Sequence, residues 1–211
     1  MLVAVHHSPE DIEAALSTLD LTVEPLLRAV QAGYLARISR TANDAPIAGG
    51  FYQWNETLRT LREGLAPAGW ARSDESGFST AEHPERKMRI AVSSGDLGTG
   101  RIDAIPKTRR SKGPRTAAAV SVNAAQLDLF PDTLARPKSD DSKVLTWVLL
   151  FCCDADQLRA ELSLPVYLDD GGHIDAWRER ILLPSQSIDP SFVMPEPDFG
   201  PDIDVEIARR A

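Results

Sequence analysis

Val144-Leu145-Thr146-Trp147-Val148-Leu149-Leu150-Phe151-Cys152-Cys153 is apolar apart from Thr146, and Leu158 to Leu168 follows as LRAELSLPVYL. An unbroken apolar run of this length suits a strand covered on both faces, in the centre of a sheet. The second run alternates: Leu158, Ala160, Leu162, Leu164, Val166 and Leu168 fall on one face, with Arg159, Glu161, Ser163, Pro165 and Tyr167 on the other. A period of two predicts a half-buried antiparallel strand. On this reading Leu162 and Leu164 face the core, and Glu161 faces away from it and is replaceable at little cost. Asp169-Asp170-Gly171-Gly172 has turn chemistry and returns the chain through Ile174 to Leu183 as a partner strand, although Trp177 and Ile181 also fit a helical stripe.

Toward the N-terminus the period changes to that of a helix. Ser8-Pro9-Glu10-Asp11 is a helix start, with Ser8 as the cap, Pro9 in the first position and acids in the first turn. Ile12, Leu16 and Leu19 continue it. A second helix is predicted over Thr22 to Ile38 and a third over Phe51 to Leu65, the last burying Phe51, Trp54, Leu58, Leu61 and Leu65 until Pro67 and Gly69 stop it. Trp70 to Arg72 and Phe78 to Thr80 then flank a polar turn, Ser73 to Gly77, as a hairpin, and Met88 to Val92 adds a strand. The expected fold class is α+β: N-terminal helices packed on a mainly antiparallel sheet, with a long basic linker inserted between its strands. In chain order this predicts helices and first strands over 1–100, the linker over 101–142, the remaining strands over 143–184 and an acidic, Pro-rich tail over 185–211.

The linker carries Lys107, Arg109, Arg110, Lys112 and Arg115, candidate contacts for DNA phosphates, and then Gln126-Leu127-Asp128-Leu129-Phe130. Pro106, Pro114, Pro131 and Pro137 break regular structure around that pentapeptide, which favours an extended, accessible segment. All five positions of QLDLF resemble the motif by which bacterial replication, repair and mobile-element proteins bind the DNA polymerase sliding clamp. The resemblance covers these five residues alone. It implies that Leu129 and Phe130 fill an apolar subsite of the clamp, that the Gln126 amide enters a neighbouring polar one, and that Leu127 packs between them. Burial of Leu129 and Phe130 is worth roughly 3–6 kcal/mol before ordering is subtracted. The alternative for such a cluster is a short strand or helical turn folded back onto the protein's own core.

The net charge of −8 argues against a surface that binds nucleic acid as a whole. No apolar run approaches the roughly 18 residues of a membrane span, and the opening MLVAVHHSPED has no charged segment followed by a long apolar one, so a cytoplasmic location is expected. Cys152 and Cys153, adjacent on a strand, point to opposite faces and read as structural thiols. His6, His7, His83 and His173 show no ligand spacing with them, so neither zinc nor any other cofactor is expected. Catalytic candidates are few. Asp154 and Asp156 at a strand end have the spacing of divalent-metal ligands or of a solvated turn. Glu85 and Lys87 have the Glu-x-Lys spacing of one large nuclease class. Ser94 to Gly100, after a strand, has the composition of a phosphate-cradling loop but no Lys-Ser or Lys-Thr ending. The function expected is a clamp-docking accessory protein of DNA replication, repair or a mobile element. The alternatives are a winged-helix-like DNA-binding module, against which Glu56 and Glu63 interrupt the basic residues Arg59 and Arg62 of the third helix, and a metal-dependent nuclease.

Overall fold

A computed structural model describes residues 3–129, 144–154 and 156–188. The first helix, α1 (Pro9–Thr18), begins as the sequence predicts, with Ser8 Oγ accepting from Asp11 N–H at 3.2 Å. It is followed by α2 (Val23–Ile38) and α3 (Ala48–Leu65). Thr22 stands at the cap position of α2 but makes no capping hydrogen bond. α3 starts three residues earlier than its periodicity suggests, and Phe51, expected in the core, lies on its exposed face at 55% exposure. α2 and α3 cross closely at Gly33, where a Cβ would stand 1.9 Å from Thr57 Oγ1 and 2.6 Å from the Gln53 carbonyl oxygen.

The strands are β1 (Ala4–His6), β2 (Ala71–Ser73), β3 (Thr80–His83), β4 (Met88–Ser94), β5 (Leu145–Cys153), β6 (Gln157–Leu168), β7 (Ile174–Leu182) and β8 (Gln186–Ser187). They form one sheet in the order β1-β7-β6-β5-β4-β3-β2, with β8 also paired to β6. The β5, β6 and β7 ladders are antiparallel, as their patterns require, whereas β4 with β5 and β1 with β7 are parallel. The class is α+β, and β5 sits fully inside the sheet.

The helices α1, α2 and α3 cover one face. Their stripes, with Leu16, Leu26, Leu61 and Leu65, meet Ile90, Leu149, Leu162 and Ile181 in the main core. Each such side chain contributes roughly 1.5–3 kcal/mol by leaving water. The opposite face was expected to be open at β6, and it is not. Residues 114–129, read as unstructured linker, form α4 (Pro114–Leu129), which packs on β5 and β6. Val120 joins Val148, Leu150, Ile174 and Trp177 in a second core. Pro114 does not break this helix; it opens it, because the first helical position needs no N–H and favours proline's φ. Residues 96–113 form an ordered strap beside α4. Thr108 N–H donates to the Ile174 carbonyl at 3.0 Å, Arg109 N–H to Ser94 at 3.1 Å, and Lys112 N–H to Gly172 at 2.7 Å.

This second layer explains why the polar face of β6 is buried. Glu161 and Ser163 are 0% exposed and Arg159 is 8% exposed. Glu161 receives Arg180 Nη2 at 2.6 Å, Arg180 Nε at 3.0 Å, Ser163 Oγ at 2.7 Å and Gly100 N–H at 2.8 Å. Arg180 directs its remaining donors to the Ala104 and Arg101 carbonyls of the strap. A buried ion pair is tolerated when its lone pairs and protons are all met in this way.

Candidate functional site

Gln126 lies in the last turn of α4 and is 8% exposed, so the residue expected at the head of an extended peptide is held inside a helix. Its Nε2 is shielded from solvent and finds no hydrogen-bond partner among the described residues. Leu127, Asp128 and Leu129 continue the helix backbone; their side chains, and Phe130 as a whole, lie outside the described residues.

Of the five basic residues expected to contact phosphates, Lys107, Arg109, Arg110 and Lys112 lie in the strap and Arg115 in the first turn of α4. Lys107 pairs with Asp169. Arg115 lines a shallow cleft with Glu75, Phe78 and Arg89. Lys112 turns inward and donates from Nζ to Ser93 Oγ at 2.6 Å; burial, followed by the nearby Arg110, pushes its pKa down to about 8. Arg109 is held at the end of β4 by its backbone N–H, which donates to the Ser94 carbonyl, and its charge acts on the ionisation of Arg37, Cys152 and Cys153.

At the carboxyl end of β5 a cluster assembles that no local pattern announces. Gly33 sets the close α2–α3 approach, and one turn later Arg37 meets Gln53 of α3, donating from Nη1 to Oε1 at 3.3 Å. Gln53 in turn donates from Nε2 to Cys153 Sγ at 3.2 Å. Burial lowers the Arg37 pKa; Cys153 opposes this, while Arg40 and Arg109 add to it as like charges. Burial also pushes the Cys153 thiol up, which keeps it neutral and removes it as a standing counter-charge. Arg37 Nε is out of solvent without an acceptor among the described residues. Arg40 lies along α3, its Cδ 3.0 Å from where a Cβ on Gly49 would be. Cys152 and Cys153 are free thiols on opposite faces of β5, as adjacency on a strand dictates.

The other candidates have local structural partners. Asp154 accepts from Arg159 at 3.2 Å, and its N–H bonds to the Gln157 carbonyl in the β5–β6 turn, while the Asp156 carbonyl accepts from Ile188 N–H. Glu85 and Lys87 lie in the tight connection between β3 and β4, where the Lys87 carbonyl accepts from Leu145 N–H. In the segment from Ser94 to Gly100 the backbone N–H groups face inward: Gly95 to Phe151, Asp96 to Lys107, Gly98 to the Asp96 carboxylate and Gly100 to Glu161. They are not arrayed around a phosphate. His6 bonds Glu179 at 2.9 Å and His173 Nδ1 lies 2.7 Å from the Thr108 carbonyl oxygen. His83 stacks edge-on against Trp70. Among the described residues no three His, Cys, Asp or Glu side chains converge as metal ligands. The hairpin β2–β3 is the edge of the large sheet, not a detached wing, and Arg59 of α3 is engaged by Glu56 and Glu63. No helix among the described residues is long and apolar enough to cross a membrane. No protein-family model matches the chain, and no curated protein or solved structure matches it either.

Proposed function

We propose that this chain is an accessory protein of DNA replication, repair or a mobile element that docks on a bacterial sliding clamp through Gln126 to Phe130. The observation that carries the reading is the five-for-five match of QLDLF to the clamp-binding pattern. Its position is compatible with docking only if the last turn of α4 unwinds. Two features favour that step. Terminal helical turns open at low free energy, because their last carbonyls have no partner to lose. Gln126 Nε2, buried without a partner among the described residues, gains a hydrogen bond when it leaves, worth about 0.5–1.5 kcal/mol net. Leu129 and Phe130 then add roughly 3–6 kcal/mol on the clamp, less the ordering of the peptide.

The test is calorimetric titration of the intact protein with sliding clamp, repeated with Leu129→Ala/Phe130→Ala and with Gln126→Ala. Micromolar binding, about −8 kcal/mol, is expected for the native chain and its loss in both variants, with the melting temperature of the double variant nearly unchanged. Absence of binding by the native chain, or binding that survives the double substitution, would remove the reading. A fall in stability of several kcal/mol in the double variant would show that these side chains serve the protein's own core.

A further inference from the structure

Between the C-terminal half of α2 and the paired strands β6 and β8 lies an apolar groove of about 160 Å³, lined by Tyr34, Leu35 and Ile38 of the helix and by Leu158 and Ile188 of the strand side. Its floor belongs to the main core. Tyr34, Leu158 and Ile188 are buried there, and Ile38 packs against them. Its wall does not: Leu35 stands 54% exposed, on the stripe of α2 that also carries Gln31 and Ile38. A single exposed leucine means little, but one that walls a groove continuous with the core offers a seat for another apolar side chain. The volume sets what fits. A cavity of about 150 Å³ lined by aliphatic side chains admits benzene, so this groove admits one phenyl ring.

The chain carries such a ring next to the groove. β8 runs antiparallel along the start of β6, and Ile188 N–H donates to the Asp156 carbonyl at 2.9 Å, so the last described residue is itself part of the groove. The sequence continues, outside the described residues, as Asp189-Pro190-Ser191-Phe192-Val193-Met194. Asp-Pro-Ser is turn-forming, and the four residues from Ile188 to Phe192 reach about 13 Å when extended. We propose that the groove is the seat of the chain's own C-terminal segment, with the Phe192 ring between Leu35 and Ile188. A segment on so short a tether meets its site at an effective concentration of roughly millimolar, which favours it over a second copy of the chain as the occupant.

The seat is independent of clamp docking and is tested on the full chain without the clamp. Chymotrypsin cleavage after Phe192 is followed by mass spectrometry in the native protein and in Leu35→Glu, with cleavage after Phe199 of the same segment as the internal reference. Leu35→Glu puts a carboxylate in the groove wall, and a ring seated there would have to strip it of water. The substitution is expected to speed cleavage after Phe192 about tenfold or more and to leave cleavage after Phe199 unchanged. No acceleration, or equal acceleration at both sites, would overturn the proposal. If Leu35→Glu does not fold by circular dichroism, Leu35→Cys/Phe192→Cys takes its place, with Leu35→Cys alone as the control for the native Cys152 and Cys153. Mild oxidation is then expected to give a disulfide within one chain, in a yield independent of protein concentration. Disulfide-linked dimers alone would assign the groove to a second copy and overturn the proposal, as would the absence of any new disulfide.

Discussion

The Asn123 carboxamide stands in for the strand pairing that Pro165 removes. Nδ2 donates to the Pro165 carbonyl at 2.9 Å and to the Thr146 carbonyl at 2.8 Å, while Oδ1 accepts from Thr146 N–H at 2.9 Å. The β5–β6 ladder runs from Cys153↔Leu158 to Val148↔Ser163 and stops short of Thr146 and Pro165. Proline has no N–H to continue it and is rare inside a sheet. Pro165 also marks the start of the register shifts between β6 and β7. A side chain from α4, 0% exposed, closes the gap and ties the second layer to the sheet.

Asn123→Ala is therefore expected to destabilise the protein by about 2–4 kcal/mol, because it leaves the Thr146 amide and two carbonyls buried without partners. Asn123→Asp retains the acceptor for Thr146 N–H but loses the donor and buries a charge, so it should be no better. Urea unfolding midpoints measure both. A loss below about 0.5 kcal/mol for Asn123→Ala, the size of an ordinary surface substitution, would mean that water replaces the carboxamide and that the tie is dispensable.

Glu161 was expected to be replaceable because it alternates away from Leu162. The structure reverses this. Glu161→Ala removes one partner of a pair with Arg180 that is 0% and 3% exposed at its side chains, and should cost about 3–5 kcal/mol, comparable to the roughly 2–5 kcal/mol of Leu162→Ala. Replacing both with apolar residues of similar size, Glu161→Leu/Arg180→Met, should recover part of the loss, since the uncompensated charge is gone. If the double variant is as unstable as the sum of the singles, the strap carbonyls of Arg101 and Ala104 matter more than the pair itself.

The parts of the fold legible in the sequence are those whose packing partner repeats along the chain. The period of two in Leu158 to Leu168 and the apolar run ending at Cys153 identify β5, β6 and their partner β7, and the cap at Ser8 identifies α1. α4 was illegible for two reasons: Pro114 stands where a helix starts but resembles a breaker, and a helix of Ala117, Ala118, Ala119, Ala124 and Ala125 shows little apolar stripe. Once α4 and the strap are missed, the polar face of β6 reads as solvated. Its partners are far away in sequence, with Gly100 and Arg180 at separations of 61 and 19 from Glu161. The Arg37 cluster is non-local in the same way. Its one sequence signal is Gly33 in the middle of a helix, a position where a glycine marks close approach of another backbone.

Lys112 makes a prediction about pH. Burial brings its pKa from 10.5 down to about 8, so below pH 8 the folded protein holds a charged ammonium against Ser93 under the full burial penalty. Between about 8 and 10.5 the unfolded chain binds more protons than the folded one, and stability must rise with pH by linkage. The rise amounts to about 2–3 kcal/mol once partial solvent access is allowed for. Cys152 and Cys153 act in the opposite sense: burial raises both, so their contribution falls as pH climbs through the thiol range. The native profile mixes the two effects, and the comparison that isolates Lys112 is the difference between the native protein and Lys112→Met. That difference, read from urea midpoints across the window, should move in favour of the native protein as pH increases from 8 to 10.5, and be flat below 8. Parallel profiles for the two proteins would show that the Lys112 ammonium is solvated in the folded state, and that its bond to Ser93 does not anchor the strap to β4.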